Sequence, residues 1–201
     1  MTVSVDIAKY DTFPKLLRFN ANSRAGLPAM REKDLGIWQT WSWAECAEEI
    51  RALACGLKAL GLDKGDKLAI VGDNRPRLYW AVAAAQSIGA IPVPVYQDMA
   101  ADELKYVLDH AEVRFAMAED QEQVDKLLAI AGKSEALQAI IYCNPRGMRH
   151  YEQDYIHSYA DAVEKGRDYD RANPDFYVQA VDATTGADTS VMAYTSGPTG
   201  Q

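Results

Sequence analysis

Leu68-Ala69-Ile70-Val71-Gly72-Asp73-Asn74-Arg75-Pro76 is the stretch from which the fold can be read. Four apolar residues in a row, without polar alternation, suit a strand covered on both faces, as strands of parallel sheets are. Gly72 to Arg75 supply a polar turn, and Pro76 is suited to the first turn of a helix reaching about Ser87. The same order then recurs. A strand at Ile91 to Pro94 leads through Tyr96-Gln97-Asp98 to a helix at Ala101 to His110, and a strand at Arg114 to Ala118 leads to a helix at Glu119 to Ala131. A further strand follows at Gln138 to Tyr142. This alternation predicts an α/β fold, a doubly wound, mainly parallel sheet with helices on both faces and ligand loops at the carboxyl ends of its strands.

Upstream, residues 1–11 read as a flexible lead-in and Thr12 as the start of a helix through Phe13, Leu16, Leu17 and Phe19 that ends in the Asn20 to Gly26 region. Ala29 to Glu32 and Gly36 to Trp41 flank the turn Lys33-Asp34-Leu35-Gly36 as a hairpin. Trp38, Trp41 and Trp43 crowd this region and are expected to cover a core edge. Ser42 with Glu45 forms a capping box for a helix that Gly61 stops. Downstream of Asn144 the apolar period weakens; Tyr155 to Lys165 reads as a helix ended by Gly166, and Asp182 to Asp188 as a turn. Glu119, Asp120 and Glu122 suit a helix start, where the macrodipole favours acids. His150, Glu152, Asp154 and His157 cluster without matching a metal-ligand pattern, so no metal residue is assigned.

Composition bounds the partners. A formal net charge of -8 opposes a surface that neutralises nucleic-acid phosphates, so no nucleic-acid partner is expected. Cys46, Cys55 and Cys143 are odd in number and lack C-x-x-C spacing, which fits a reducing, cytoplasmic setting. No apolar stretch nears the ~20 residues that cross a bilayer, leaving room only for peripheral membrane contact.

Residues 189–201 are expected to form one more strand, Ser190 to Tyr194, and then a loop, Thr195-Ser196-Gly197-Pro198-Thr199-Gly200-Gln201. Hydroxyls and glycine-flanked N–H groups are what a phosphate cradle uses. Neither G-x-x-x-x-G-K-[ST] nor G-x-G-x-x-G is present, and on composition alone a plain turn is the favoured reading, because such residues dominate turns.

Tyr194-Thr195-Ser196-Gly197-Pro198-Thr199-Gly200 resembles the [Y/F]-T-S-G-[S/T]-T-G phosphate loop of the adenylate-forming, AMP-binding superfamily. Thr40 to Glu45, Lys64 to Ile70 and Gly89 to Tyr96 resemble other stretches of that family. Tyr106-Val107-Leu108-Asp109-His110-Ala111-Glu112 is most similar to bacterial long-chain fatty-acid CoA ligases. The likeness covers roughly residues 12 to 201. It implies the first part of the large N-terminal domain of an adenylate-forming enzyme, with ATP, magnesium, coenzyme A and a fatty acid as its small-molecule partners. A carboxylate attacks the α-phosphate of ATP, releasing pyrophosphate, and the coenzyme A thiol then displaces AMP from the acyl-adenylate. Carried over by position, Thr195, Ser196, Gly197, Thr199 and Gly200 contact the ATP phosphates; no residue is assigned as acid or base.

Pro198 departs from the pattern, removing a hydroxyl and an N–H and fixing φ. The family continues with Pro-Lys-Gly where this sequence has its last residue, Gln201. The expectation is therefore a fragment of a larger ligase, inactive alone, without a tightly bound cofactor and prone to self-association. Two other readings stay open: an adenylating enzyme for another carboxylic acid, and a non-catalytic α/β interaction module.

Overall fold

The computed structural model describes residues 6–131 and 137–195. In chain order these form α1 (Phe13–Ser23), the antiparallel hairpin β1 (Pro28–Asp34) and β2 (Ile37–Ser42), then α2 (Trp43–Ala59), β3 (Lys67–Val71), α3 (Pro76–Ser87) and β4 (Ile91–Val95). They continue as α4 (Ala101–His110), β5 (Val113–Ala118), α5 (Gln121–Ala131), β6 (Ala139–Tyr142), β7 (Ile156–Ser158), α6 (Tyr159–Ala172) and α7 (Phe176–Asp182). The five later strands pair in parallel in the order β4-β3-β5-β6-β7.

The uninterrupted apolar runs are explained by what lies on each face. Leu68 and Ile70 of β3 pack with Phe115, Met117 and Ile141 against α2, α3 and α6. Ala69 and Val71 join Val93, Ala116 and Ile140 under α4 and α5. Side chains alternate across a strand, so a sheet covered twice needs apolar residues at every position. The expected doubly wound architecture is the one observed.

Local signals act as their chemistry dictates. Ser42 Oγ accepts from the Glu45 N–H (3.3 Å) while Glu45 Oε2 accepts from the Ser42 N–H (2.8 Å), a complete capping box at the start of α2. Asp120 Oδ1 accepts from the Gln123 N–H (3.3 Å) at the start of α5, but Glu119 lies before that helix and is engaged elsewhere. The three tryptophans divide: Trp41 meets the buried Trp80 edge-on at 5.4 Å, Trp43 is half-buried, and Trp38 stands in solvent.

Three expectations change. Tyr155 to Lys165 is not one helix: Ile156 to Ser158 pair with Ile140 to Tyr142, and Ser158 then caps α6 by accepting from the Asp161 N–H at 3.0 Å. Three residues are too few to show a period, so only the neighbouring strand reveals this one. Gly166 does not end α6 but lies inside it, where α2 crosses. A Cβ there would fall 1.8 Å from the Ala52 carbonyl oxygen, and one at Gly56 would fall 2.0 Å from that of Ala162. The glycines let two helix backbones touch.

Third, residues 190–194 form no ladder; their one backbone bond to the sheet runs from the Met192 N–H to the Pro92 carbonyl at 3.0 Å. Ile91 turns its N–H toward the β3 side, to Asp66 O at 2.8 Å, so by alternation Pro92 and Pro94 face the outer edge of β4. Proline has no N–H, and a strand laid there finds acceptors without donors. Of the expected lead-in, residues 1–5 lie outside the described residues, while Tyr10 packs on Phe19 with ring centroids 4.7 Å apart.

Candidate functional site

In the order β4-β3-β5-β6-β7 the chain leaves β3 to one side for β4 and returns to the other side for β5. The crevice at the carboxyl ends of β3 and β5 is therefore the switch point at which ligands of open α/β sheets bind. Gly72 follows β3 there and Glu119 follows β5. A Cβ on Gly72, whose φ is +152°, would lie 2.5 Å from Glu119 Cβ; glycine alone allows the two strand ends to close on each other.

Glu119 ties this junction together. Its Oε2 accepts from the Asp73 N–H (2.5 Å) and its Oε1 from Arg75 Nε (3.2 Å), while the other arm of Arg75 reaches Glu32 Oε1 on the hairpin (3.0 Å). The carboxylates of Glu32 and Glu119 raise the guanidinium pKa further. The Asn74 N–H is turned onto Asp73 Oδ1 at 2.7 Å, so the backbone donors of Asp73 and Asn74 already have partners. The β3 turn is thus a structural joint and does not offer these donors to a phosphate.

Two clefts flank the joint. On the hairpin side a cleft of 700 Å³ is lined by Glu32, Glu45, Glu49, Arg75, Arg77 and Glu119, among others. Arg77 donates to the Cys143 carbonyl (2.6 Å) and lies 4.9 Å from the Tyr159 ring, and Tyr159 donates to Glu49 Oε1 at 3.0 Å. Burial pushes the Cys143 thiol up to about 12, so it stays protonated and is no nucleophile.

On the other side a cavity of 480 Å³ opens over the carboxyl ends of β3 and β4, bounded by Gly72, Asp73, Tyr96, Asp98, Tyr194 and Thr195. The approach to Thr195 is held at three points. Gln86 Nε2 donates to the Ser190 carbonyl (2.7 Å), the Met192 N–H to Pro92, and the Tyr194 hydroxyl meets His110 Nδ1 at 2.6 Å. Burial, then the neighbouring Tyr106, raises the Tyr194 phenol above its usual range.

Of the residues expected to contact phosphate, Thr195 is exposed on the wall of this cavity. Ser196, Gly197, Thr199 and Gly200 lie outside the described residues, as does Pro198. No lysine or arginine is among the described residues that line this cavity. The residues that sequence reasoning missed are Glu119, Arg75 and His110. Glu119 had a usable signal, its position directly after a buried strand; the other two had none, because their partners are 43 or more residues away. Among the described residues no group of three histidine, cysteine or acidic side chains could hold a metal ion, and no helix is long and apolar enough to cross a membrane. The cluster at His150 to His157 is dispersed: Arg149 Nε donates to His150 Nε2 (3.1 Å), and His157 lies on β7 with its pKa lowered by burial.

Comparison with known proteins agrees with this architecture. Residues 17–201 match the family model described as AMP-binding enzyme, and the chain belongs to that family. The long-chain-fatty-acid–CoA ligase ACSBG2 of Homo sapiens is 28% identical over 191 residues, 94% of this chain and 28% of the relative. The long-chain-fatty-acid–CoA ligase FadD15 of Mycobacterium tuberculosis is 29% identical over 168 residues, 83% of this chain and 26% of the relative. Coronafacic acid ligase of Pectobacterium brasiliense superposes with a TM-score of 0.66 at 18% identity, over 75% of this chain and 29% of that one. The chain thus spans little more than a quarter of the length of these curated relatives.

Proposed function

We propose that these residues form the opening part, including the ATP-phosphate loop, of an ATP-dependent long-chain fatty-acid–CoA ligase. The observation that supports this most directly is Thr195 on the wall of the cavity over the carboxyl ends of β3 and β4, in a chain whose family match runs through the loop. In the reaction a fatty-acid carboxylate oxygen attacks the α-phosphorus of ATP and pyrophosphate leaves. The coenzyme A thiol then adds to the acyl carbon, its proton passes to solvent, and AMP departs to leave acyl-CoA.

Thr195, Ser196 and Thr199 supply hydroxyl donors to the β- and γ-phosphates, and Gly197 and Gly200 let backbone N–H groups approach them. Their role is to orient the triphosphate and to spread its charge as pyrophosphate leaves. Magnesium accompanies the nucleotide in this reading, and no described residue is assigned to it or to coenzyme A. Without a cation on the described cavity wall, the 201-residue chain binds Mg-ATP weakly and does not turn over. Calorimetric titration tests this, and micromolar affinity would contradict it. The setting is cytoplasmic, membrane contact is peripheral, and the 201-residue chain self-associates, which sedimentation reads directly.

The decisive assay is ATP–pyrophosphate exchange in a chimera, with this chain replacing the matching part of the FadD15 ligase. Ser196→Ala with Thr199→Ala should lower exchange by about a hundredfold or more. Exchange unchanged by the double substitution would sink the assignment. A panel of carboxylic acids on the same chimera then identifies the acyl substrate.

A further inference from the structure

The turn of the β1–β2 hairpin is built against its own stability. Asp34 and Ile37 are paired and joined by two residues, Leu35 and Gly36, with φ of +46° and +83°. Two positive φ values are the pattern of the type I′ hairpin turn, where asparagine, aspartate or glycine is favoured at the first position. Leucine is disfavoured there, and this leucine buries almost nothing: it is 94% exposed, beside Ile37 at 65% and Trp38 at 57%. A bulky apolar side chain placed in a backbone region it resists, and then held in water, calls for a partner.

The register sorts the charges around it. Lys33 lies opposite Trp38 and Arg31 opposite Thr40, so these four share one face; the Arg31 guanidinium lies 4.8 Å from the Trp38 ring. The opposite face carries Glu32, Asp34 and Trp41 toward the 700 Å³ cleft, with Glu32 paired to Arg75. Arg31 and Lys33 are exposed and enter no ion pair among the described residues. Between this basic face and Tyr79 of α3 runs a groove of 350 Å³. In a chain of net charge -8, basic and aromatic residues are here gathered on one face of one projecting hairpin.

We infer that this hairpin docks on an anionic lipid surface. Leu35 enters the boundary of the acyl chains, and Trp38 lies at headgroup level, where aromatic side chains are favoured. Arg31 and Lys33 reach the headgroup phosphates, their stems lying along apolar surface. This gives a place to the peripheral contact proposed above. It is independent of the adenylation reading, since vesicle binding needs neither ATP nor the loop.

The test is co-sedimentation of the 201-residue chain with phosphatidylcholine–phosphatidylserine vesicles and with phosphatidylcholine alone, at low and high salt. Binding should require phosphatidylserine and weaken with salt. Leu35→Asn puts a favoured residue in the turn, so thermal stability should hold or rise while vesicle partition falls by about tenfold. Lys33→Glu should abolish the preference for phosphatidylserine. No binding by the unmodified chain, or binding unchanged in Leu35→Asn, would overturn the inference. So would a dimer that Leu35→Asn dissolves, since the tip would then serve a second copy of the chain.

Discussion

Replacing Gly166 by alanine probes the close approach of α6 to α2. The added Cβ would stand 1.8 Å from the Ala52 carbonyl oxygen and 2.6 Å from the Gly56 nitrogen, where 3.0 Å is the floor for real Cβ contacts. Both obstacles are backbone atoms, so no rotamer change relieves them, and α6 must move off α2 by about 1.2 Å, the difference between 3.0 and 1.8 Å. That movement loosens the layer formed by Leu53, Ala162 and Val163, all buried. Overpacking of this kind costs typically ~3 kcal/mol at the upper end. Alanine returns ~1 kcal/mol of helix propensity. The net loss of ~2 kcal/mol should lower Tm by roughly 4–8 °C for a domain of this size.

Thermal and urea denaturation of the 201-residue chain read this directly, with Gly26→Ala as the control because nothing lies within 4 Å of its Cβ position. Gly56→Ala meets the Ala162 oxygen at 2.0 Å and should behave alike. The double substitution should cost less than the sum of the two, since one displacement relieves both clashes. A Gly166→Ala chain that melts with the unmodified one would refute the reasoning.

Two further outcomes join those stated for Ser196, Thr199 and Leu35. Ser42 holds the Glu45 carboxyl below the ordinary glutamate pKa, through its N–H first and its hydroxyl second. The folded value is the depressed one, so this contribution is present above the unfolded pKa and is lost as pH falls through the folded pKa. Melting curves from neutral to acid pH should therefore show a flatter acid limb in Glu45→Gln, and Ser42→Ala should lose ~1 kcal/mol at neutral pH. Tyr194→Phe removes the bond to His110, and amide exchange at Met192 should accelerate by roughly tenfold; unchanged protection would show that Tyr194 does not anchor the approach to Thr195.

Much of the fold was legible in local pattern. The runs Leu68 to Val71 and Arg114 to Ala118, each followed by a polar turn and a helical period, predict buried parallel strands because doubly covered strands tolerate no polar alternation. Ser42 with Glu45 marks a helix start through bonds made within four residues. What failed was where partners are distant. Ile156 to Ser158 form a strand through β6, and Gly166 reads as a stop although it is a contact surface for α2. The outer edge of β4 refuses a sixth strand because Pro92 and Pro94 face outward, a fact of register rather than of composition.

The same division holds at the site. The sequence by itself determined the family and the strand-turn-helix order, and it carries the hydroxyl-rich run from Thr195 to Gly200, since these belong to residues adjacent in the chain. Tertiary structure alone decided that Glu119 and Arg75 join the hairpin to the sheet, that His110 holds Tyr194, and that Leu35 and Trp38 stand out in water beside a basic face. Each of these rests on approaches between segments far apart in sequence, or on a backbone angle, and neither leaves a periodic trace in the order of residues.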